Sequence, residues 1–136
     1  MKGVSPKISK EDIIACLNSA KERLRSAEIL LKAGQFRDSI SRSYYALLDA
    51  VHGLLLTKNL IPKSHEGAVR LFGIHFVKPG LVDKKYGRYF HLLLEEREDA
   101  DYEKRKVFSQ QEAKEALEDA REFVGIAEKL LKPYMS

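Results

Sequence analysis

Residues 39–56, SISRSYYALLDAVHGLLL, separate into two chemically different faces when wound at about 100° per residue, the period of an α-helix. Ile40, Tyr44, Leu47, Leu48, Val51, Leu54 and Leu55 fall on one broad apolar side, wide enough to be a core face. Arg42, Tyr45, Asp49 and His52 follow at i, i+3, i+7 and i+10 on the other side, a cation, a phenol, a carboxylate and an imidazole in one stripe. Ala46 and Gly53 beside that stripe carry almost no side chain, so another helix can approach closely there. Polar groups caught between two such surfaces must satisfy one another, because a buried polar group without a partner is destabilising.

Outward from this segment the chain reads as helix after helix. Ser9 precedes Ile13, Leu17, Ala20, Leu24, Ala27 and Leu31 at helical spacing, and Gly34 stands where a left-handed C-terminal residue is expected, which predicts a first helix over about residues 10–33. The second runs from about Phe36 to Lys58 and is closed by Asn59-Leu60-Ile61-Pro62. Ser64 reads as the N-cap of a shorter helix to about Phe76, ended by Pro79-Gly80. Asp83 can cap a fourth helix whose apolar face is Tyr86, Phe90, Leu93 and Leu94, and Ser109-Gln110-Gln111-Glu112 matches the capping box of a last helix that ends before Pro133. No run reads as a strand, and neither an internal repeat nor a long linker is found. The expected fold class is therefore all-α, an up-and-down bundle of four long helices plus one shorter helix. It is expected to form a single domain over 1–136 with its core at about 10–132.

A chain of 136 residues can bury one core without staples. Cys16 is the only cysteine, which excludes an internal disulfide framework and a cysteine-rich zinc site, and its neighbours Ile13, Leu17 and Ala20 make it core filler rather than a reactive thiol. The N-terminal MKGVSPKISKED is polar and lacks a signal-peptide pattern, and no apolar run reaches spanning length, so a cytoplasmic location away from membranes is expected. The net charge of +4 hides an asymmetry: residues 1–91 hold sixteen Lys and Arg against eight Asp and Glu, whereas residues 92–136 hold eight against twelve. The polar stripe lies in the basic part, where a phosphate-bearing partner would be attracted in a salt-dependent way, although a charged bundle can also scatter its solubilising residues unevenly.

Other chemistries find no support. The eight glycines form no phosphate-binding loop, and His65, His75 and His91 share no ligand spacing, so neither a metal nor a cofactor is expected. The acidic run Glu95 to Glu103 alternates with Arg97, Lys104 and Arg105, which reads as a solvated helix face rather than a metal site.

Arg42-Ser43-Tyr44-Tyr45-Ala46-Leu47-Leu48, then Lys63-Ser64-His65, Phe76-Val77-Lys78, and Arg97 with Ala100-Asp101-Tyr102 occur in an order that resembles the small stand-alone HEPN proteins (higher eukaryotes and prokaryotes nucleotide-binding) of the UPF0332-like branch. The resemblance extends from about residue 12 to residue 132. It implies a helical homodimer with a metal-independent ribonuclease site, marked in active members by an arginine and a histidine with four to six residues between them. It also implies a toxin role, with a small nucleotidyltransferase as antitoxin partner. Here Asp49 stands where that histidine would fall, and the nearest histidine on the stripe is His52. Arg70 and His75 satisfy the spacing but lie outside the matching segment, and are read as a chance match.

If the stripe is catalytic, Arg42 would stabilise charge on the phosphoryl oxygens, His52 would serve as base or acid, and Asp49 would orient the imidazole. Arg42, Tyr45, Lys63 and His65 are the candidate contacts to RNA or nucleotide, Tyr45 by stacking and Lys63 and His65 as an anion site at a helix N-terminus. The alternative is a non-catalytic helical dimer that binds a nucleotide or docks a nucleotidyltransferase. Arg42 and Asp49 would then belong to a satisfied polar layer that fixes helix pairing.

Overall fold

In the computed structural model, which describes residues 9–136, five helices follow one another. They are α1 (Lys10–Lys32), α2 (Phe36–Leu56), α3 (His65–Phe72), α4 (Lys84–Tyr102) and α5 (Gln110–Leu131). A wider i→i+5 turn over Gly73–Val77 prolongs α3, and a short 3₁₀ turn over Lys132–Tyr134 follows α5. There is no strand among the described residues, and the expected all-α arrangement of four long helices and one shorter helix is the one observed. Residues 1–8, on which most of the signal-peptide reading rests, lie outside the described residues.

The helix limits follow from local chemistry. Ser9, Ser64 and Asp83 each accept a backbone N–H of the helix they precede, from Asp12, Gly67 and Lys85 respectively. Ser109 and Glu112 exchange side-chain to backbone bonds at 3.0 Å as a complete capping box. Each cap contributes about 1 kcal/mol by pairing an N–H that the helix itself leaves open. After α1 the chain reverses through Gly34 at φ +79°, a left-handed conformation that a side chain would oppose.

α2 occupies the centre, with α1, α4 and α5 packed around it. All seven residues of its predicted apolar face are buried. The close approach expected at Ala46 and Gly53 is made within the chain: a Cβ on Gly53 would stand 3.3 Å from Cys16 Cβ on α1 and 3.3 Å from Leu131 Cδ1 on α5. Ser39, fully buried, donates its hydroxyl to the Ala27 carbonyl at 2.7 Å and pins α2 to α1. Arg37 donates to the carbonyls of Asp99, Ala100, Glu103 and Lys106, and its guanidinium lies 5.2 Å from the centre of the Phe108 ring. One side chain thus supplies the orphan carbonyls at the end of α4 and holds the loop into α5.

One expectation is corrected. Residues 95–103 are not uniformly solvated, because Arg97 is only 7% exposed. It continues the inward row of Phe90, Leu93 and Leu94, so helix geometry carries its charge into the bundle. No helix among the described residues is long and apolar enough to cross a membrane.

Between α4 and α5, burial pushes the Glu96 carboxyl up to about 7; Glu112 adds to this effect and Lys106 opposes it. Between about pH 4.5 and 7 the unfolded chain ionises Glu96 before the folded chain does, so its contribution to stability falls as pH rises through that window. Glu96→Gln is expected to raise stability by about 1 kcal/mol at pH 8, allowing for solvent screening, and to have no such effect near pH 4.5. Urea unfolding at the two pH values measures this, and a loss of stability at pH 8 would contradict it.

Candidate functional site

Where α2, the start of α3 and the end of α4 meet, the structure gathers a guanidinium, an imidazole and two phenols. The Arg97 guanidinium carbon lies 5.0 Å from the centre of the Tyr44 ring and 5.9 Å from that of Tyr45, within cation–π range. Its Nη1 reaches Asp101 Oδ2 at 3.4 Å and its Nη2 reaches His65 Nδ1 at 2.8 Å, while Nε is buried without a partner. The other oxygen of Asp101 accepts the Ser41 hydroxyl at 2.6 Å. The Tyr44 hydroxyl stands 2.9 Å from the same His65 Nδ1.

These contacts decide a tautomer. A guanidinium has only donors, so His65 Nδ1 must accept and the ring proton sits on Nε2. Burial pushes the Tyr44 hydroxyl well above the ordinary phenol range, against the opposing pull of Arg97, so Tyr44 remains a neutral phenol. Tyr45 meets His65 edge-on, with ring centres 6.2 Å apart.

A cleft of about 370 Å³ opens beside this cluster, lined by Leu30, Asp38, Ser41, Arg42, Tyr45 and Asp101. Its volume falls within the range of small-molecule sites, about 300–1,000 Å³. Arg42 is exposed there and forms no ion pair among the described residues. The cleft therefore offers a planar cation for a phosphate, a half-buried phenol ring for stacking, and carboxylates able to accept from hydroxyls.

The four stripe residues part company. Arg42 and Tyr45 share the cleft, and Tyr45 reaches the His65 ring. Asp49 turns to α1, accepting from Ser19 Oγ at 2.6 Å and Arg23 Nε at 3.4 Å, so its counter-charge is Arg23 and not Arg42. His52 lines a separate apolar pocket with Cys16, Leu56, Leu60, Ile61 and Pro62. Burial lowers its pKa against the pull of Asp49, so the ring is largely neutral at pH 7. Ten residues at about 1.5 Å each leave Arg42 and His52 about 15 Å apart along α2. Lys63 is exposed at the entrance to α3.

Arg97, Asp101 and Ser41 are site residues that the reading of the stripe missed. A signal for Arg97 existed: it occupies an apolar register position and belongs to the family-like Arg97…Ala100-Asp101-Tyr102 segment. Tyr44 is core, fully buried as expected, yet its hydroxyl joins the cluster. Among the described residues no three His, Cys, Asp or Glu side chains are grouped to hold a metal ion.

The tautomer is open to measurement. Long-range ¹⁵N–¹H spectra near neutral pH are expected to show His65 protonated at Nε2, and an Nδ1–H form would contradict the assignment. Arg97→Ala should release that bias and lower stability by about 2–4 kcal/mol, through lost packing and the loss of a buried cation's contacts.

A family model described as "HEPN domain" matches residues 14–130. A protein named "Putative toxin MJ0605" from Methanocaldococcus jannaschii is 38% identical over 132 residues, which cover 97% of this chain and 98% of that protein. A "UPF0332 protein" of Thermotoga maritima is 34% identical over 113 residues, 83% of this chain and 86% of its own length. "Putative toxin MJ0142", also from M. jannaschii, is 28% identical over 122 residues, 90% and 83% of the two chains. The family match begins in α1, ends in α5 and so takes in every element of the cleft. This chain belongs to the HEPN domain family.

Proposed function

We propose that this protein is a toxin-type HEPN protein that binds RNA in the Arg42–Tyr45 cleft, works as a homodimer and is neutralised by a small nucleotidyltransferase. The observation that carries the RNA reading is Arg42, an exposed guanidinium without an ion-pair partner among the described residues, next to a phenol ring in a cleft of ligand size. Arg42 grips a backbone phosphate through its planar fork and Tyr45 stacks on an adjoining base. Lys63 and His65 extend the contact toward the start of α3, His65 offering Nε2–H as a donor. The names of the two M. jannaschii relatives support the toxin role, and the choice of partner follows the family resemblance described for the sequence.

Cleavage is the second reading, favoured by His52, a half-buried imidazole whose pKa burial lowers, which favours its form as a base. Its chemistry is metal-independent: the base takes the ribose 2′-hydroxyl proton, the 2′-oxygen bonds to the adjacent phosphorus, and the bond to the 5′-oxygen breaks as that oxygen gains a proton. Within one protomer His52 stands too far along α2 from Arg42 to share a phosphate with it, and Asp49 is engaged by α1. Binding is therefore the function that the geometry supports best.

Both readings meet one set of measurements. Fluorescence anisotropy with labelled single-stranded RNA should show affinity falling steeply between 50 and 200 mM salt, and a loss of about tenfold or more in Arg42→Ala. Salt-independent binding, or an Arg42→Ala protein that binds like the wild type, would reject the cleft. Cleavage measured with chelator present separates the readings. Activity that survives the chelator and is lost in His52→Ala establishes cleavage, whereas no gain in Asp49→His together with no loss in His52→Ala leaves the stripe a binding or structural element and favours binding without cleavage.

A further inference from the structure

A second cleft of about 370 Å³ adjoins the Arg42–Tyr45 cleft, and its walls include Phe36, Lys104, Lys106, Val107 and Phe108. Asp38 lines both clefts, so they are neighbours along α2. The facing wall is continuous as well. Asp101, near the end of α4, borders the first cleft, and Lys104 and Lys106, in the loop that follows, border the second. Arg37 holds that loop in place through the carbonyls of Glu103 and Lys106. Phe36 and Tyr45 are nine residues apart on α2, about 13 Å along its axis at about 1.5 Å per residue. One nucleotide advances a stacked strand by only about 3.4 Å, so the two clefts together have room for more than one.

Charge alternates along this double cleft. Arg42 in the first part and Lys104 in the second are exposed and form no ion pair among the described residues, whereas Lys106 is taken by Asp99 at 2.9 Å. Asp38, common to both parts, is also exposed and also without an ion pair among the described residues. A carboxylate repels a phosphate and only accepts hydrogen bonds, so the group that fits against it is a hydroxyl. Cation, carboxylate, cation is thus the complement of phosphate, ribose, phosphate. In RNA the 2′-hydroxyl supplies the donor, and it is the group by which a protein tells RNA from DNA. Phe36 and Val107, the latter 88% exposed, offer a second base an apolar surface.

We propose that one RNA strand lies across both clefts, with a phosphate on Arg42, the next phosphate on Lys104 and the ribose between them donating its 2′-hydroxyl to Asp38, so that Asp38 selects RNA over DNA. The proposal rests on the RNA reading of the Arg42–Tyr45 cleft and adds to it a second site and a specificity residue. It is tested by fluorescence anisotropy on the full chain with labelled oligouridine of about eight nucleotides, the deoxyuridine strand of the same length and the 2′-O-methyl strand. The variants are Asp38→Ala, Lys104→Ala and, as a control, Arg105→Ala, which removes the same charge from the same turn but borders neither cleft. All three positions are exposed, and circular dichroism verifies the fold. The wild type is expected to bind the RNA about tenfold more tightly than either other strand, as one hydrogen bond to a charged acceptor allows. Asp38→Ala should bring the three strands within about twofold of one another. Lys104→Ala should weaken RNA binding about fivefold and lower the salt slope by about 0.7, with less than about twofold loss in Arg105→Ala. A wild type that binds the three strands alike, or an Asp38→Ala protein that keeps the preference, would overturn the proposal. Equal losses in Lys104→Ala and Arg105→Ala, or none in either, would overturn it too. Those results leave the first cleft standing wherever Arg42→Ala still loses affinity, whereas an Arg42→Ala protein that binds like the wild type overturns the RNA reading itself.

Discussion

A guanidinium held out of water against two phenol rings is the constraint on which the arrangement of this bundle's polar end depends. Arg97 is inside the protein because α4 has no other way to continue its inward row, and once there its charge needs partners on every side. It finds Asp101 on its own helix, the rings of Tyr44 and Tyr45 on α2, and Nδ1 of His65 at the start of α3. Three helices are thereby tied at one point. The same contacts make Nδ1 of His65 an acceptor and bring Asp101 to Ser41, which forms one wall of the cleft.

α2 shows how a polar stripe is divided by its surroundings. Its apolar face is fully enclosed, and α1 and α5 close over Gly53. α1 then lies along the Asp49 end of the stripe and supplies Ser19 and Arg23, while the Arg42 end projects past α1 beside α4. One half of the stripe is a satisfied helix contact and the other half is left with binding capacity. This division explains why a cation and an imidazole that align on one helix do not act on one phosphate within a protomer.

The charge distribution follows the same division of labour. The basic part of the chain contains Arg42, which lines the RNA cleft proposed above, together with Lys63 and His65 at the start of α3. The acidic part contributes the C-terminal half of α4 and all of α5, where burial first, and neighbouring carboxylates second, push Glu96 up to about 7 and Asp119 up to about 6. Opposite charges kept on different elements let one surface attract a polyanion while another remains available to a protein, a second copy of the chain included.

By itself the sequence determined every helix and nearly every helix end, because caps, the left-handed Gly34 and the apolar spacing all act between residues four or fewer apart. It also determined which face of α2 is core and that Arg42 and Tyr45 stand together, one turn apart on the same helix. Tertiary structure alone decided that Arg97 meets His65 across 32 residues, that Asp49 is paired by a helix beginning before Gly34, and that His52 faces an apolar pocket. A helical repeat specifies which side of a helix is apolar, but the partner of each polar group depends on how neighbouring helices slide and turn against one another, and that is settled only when the whole core packs.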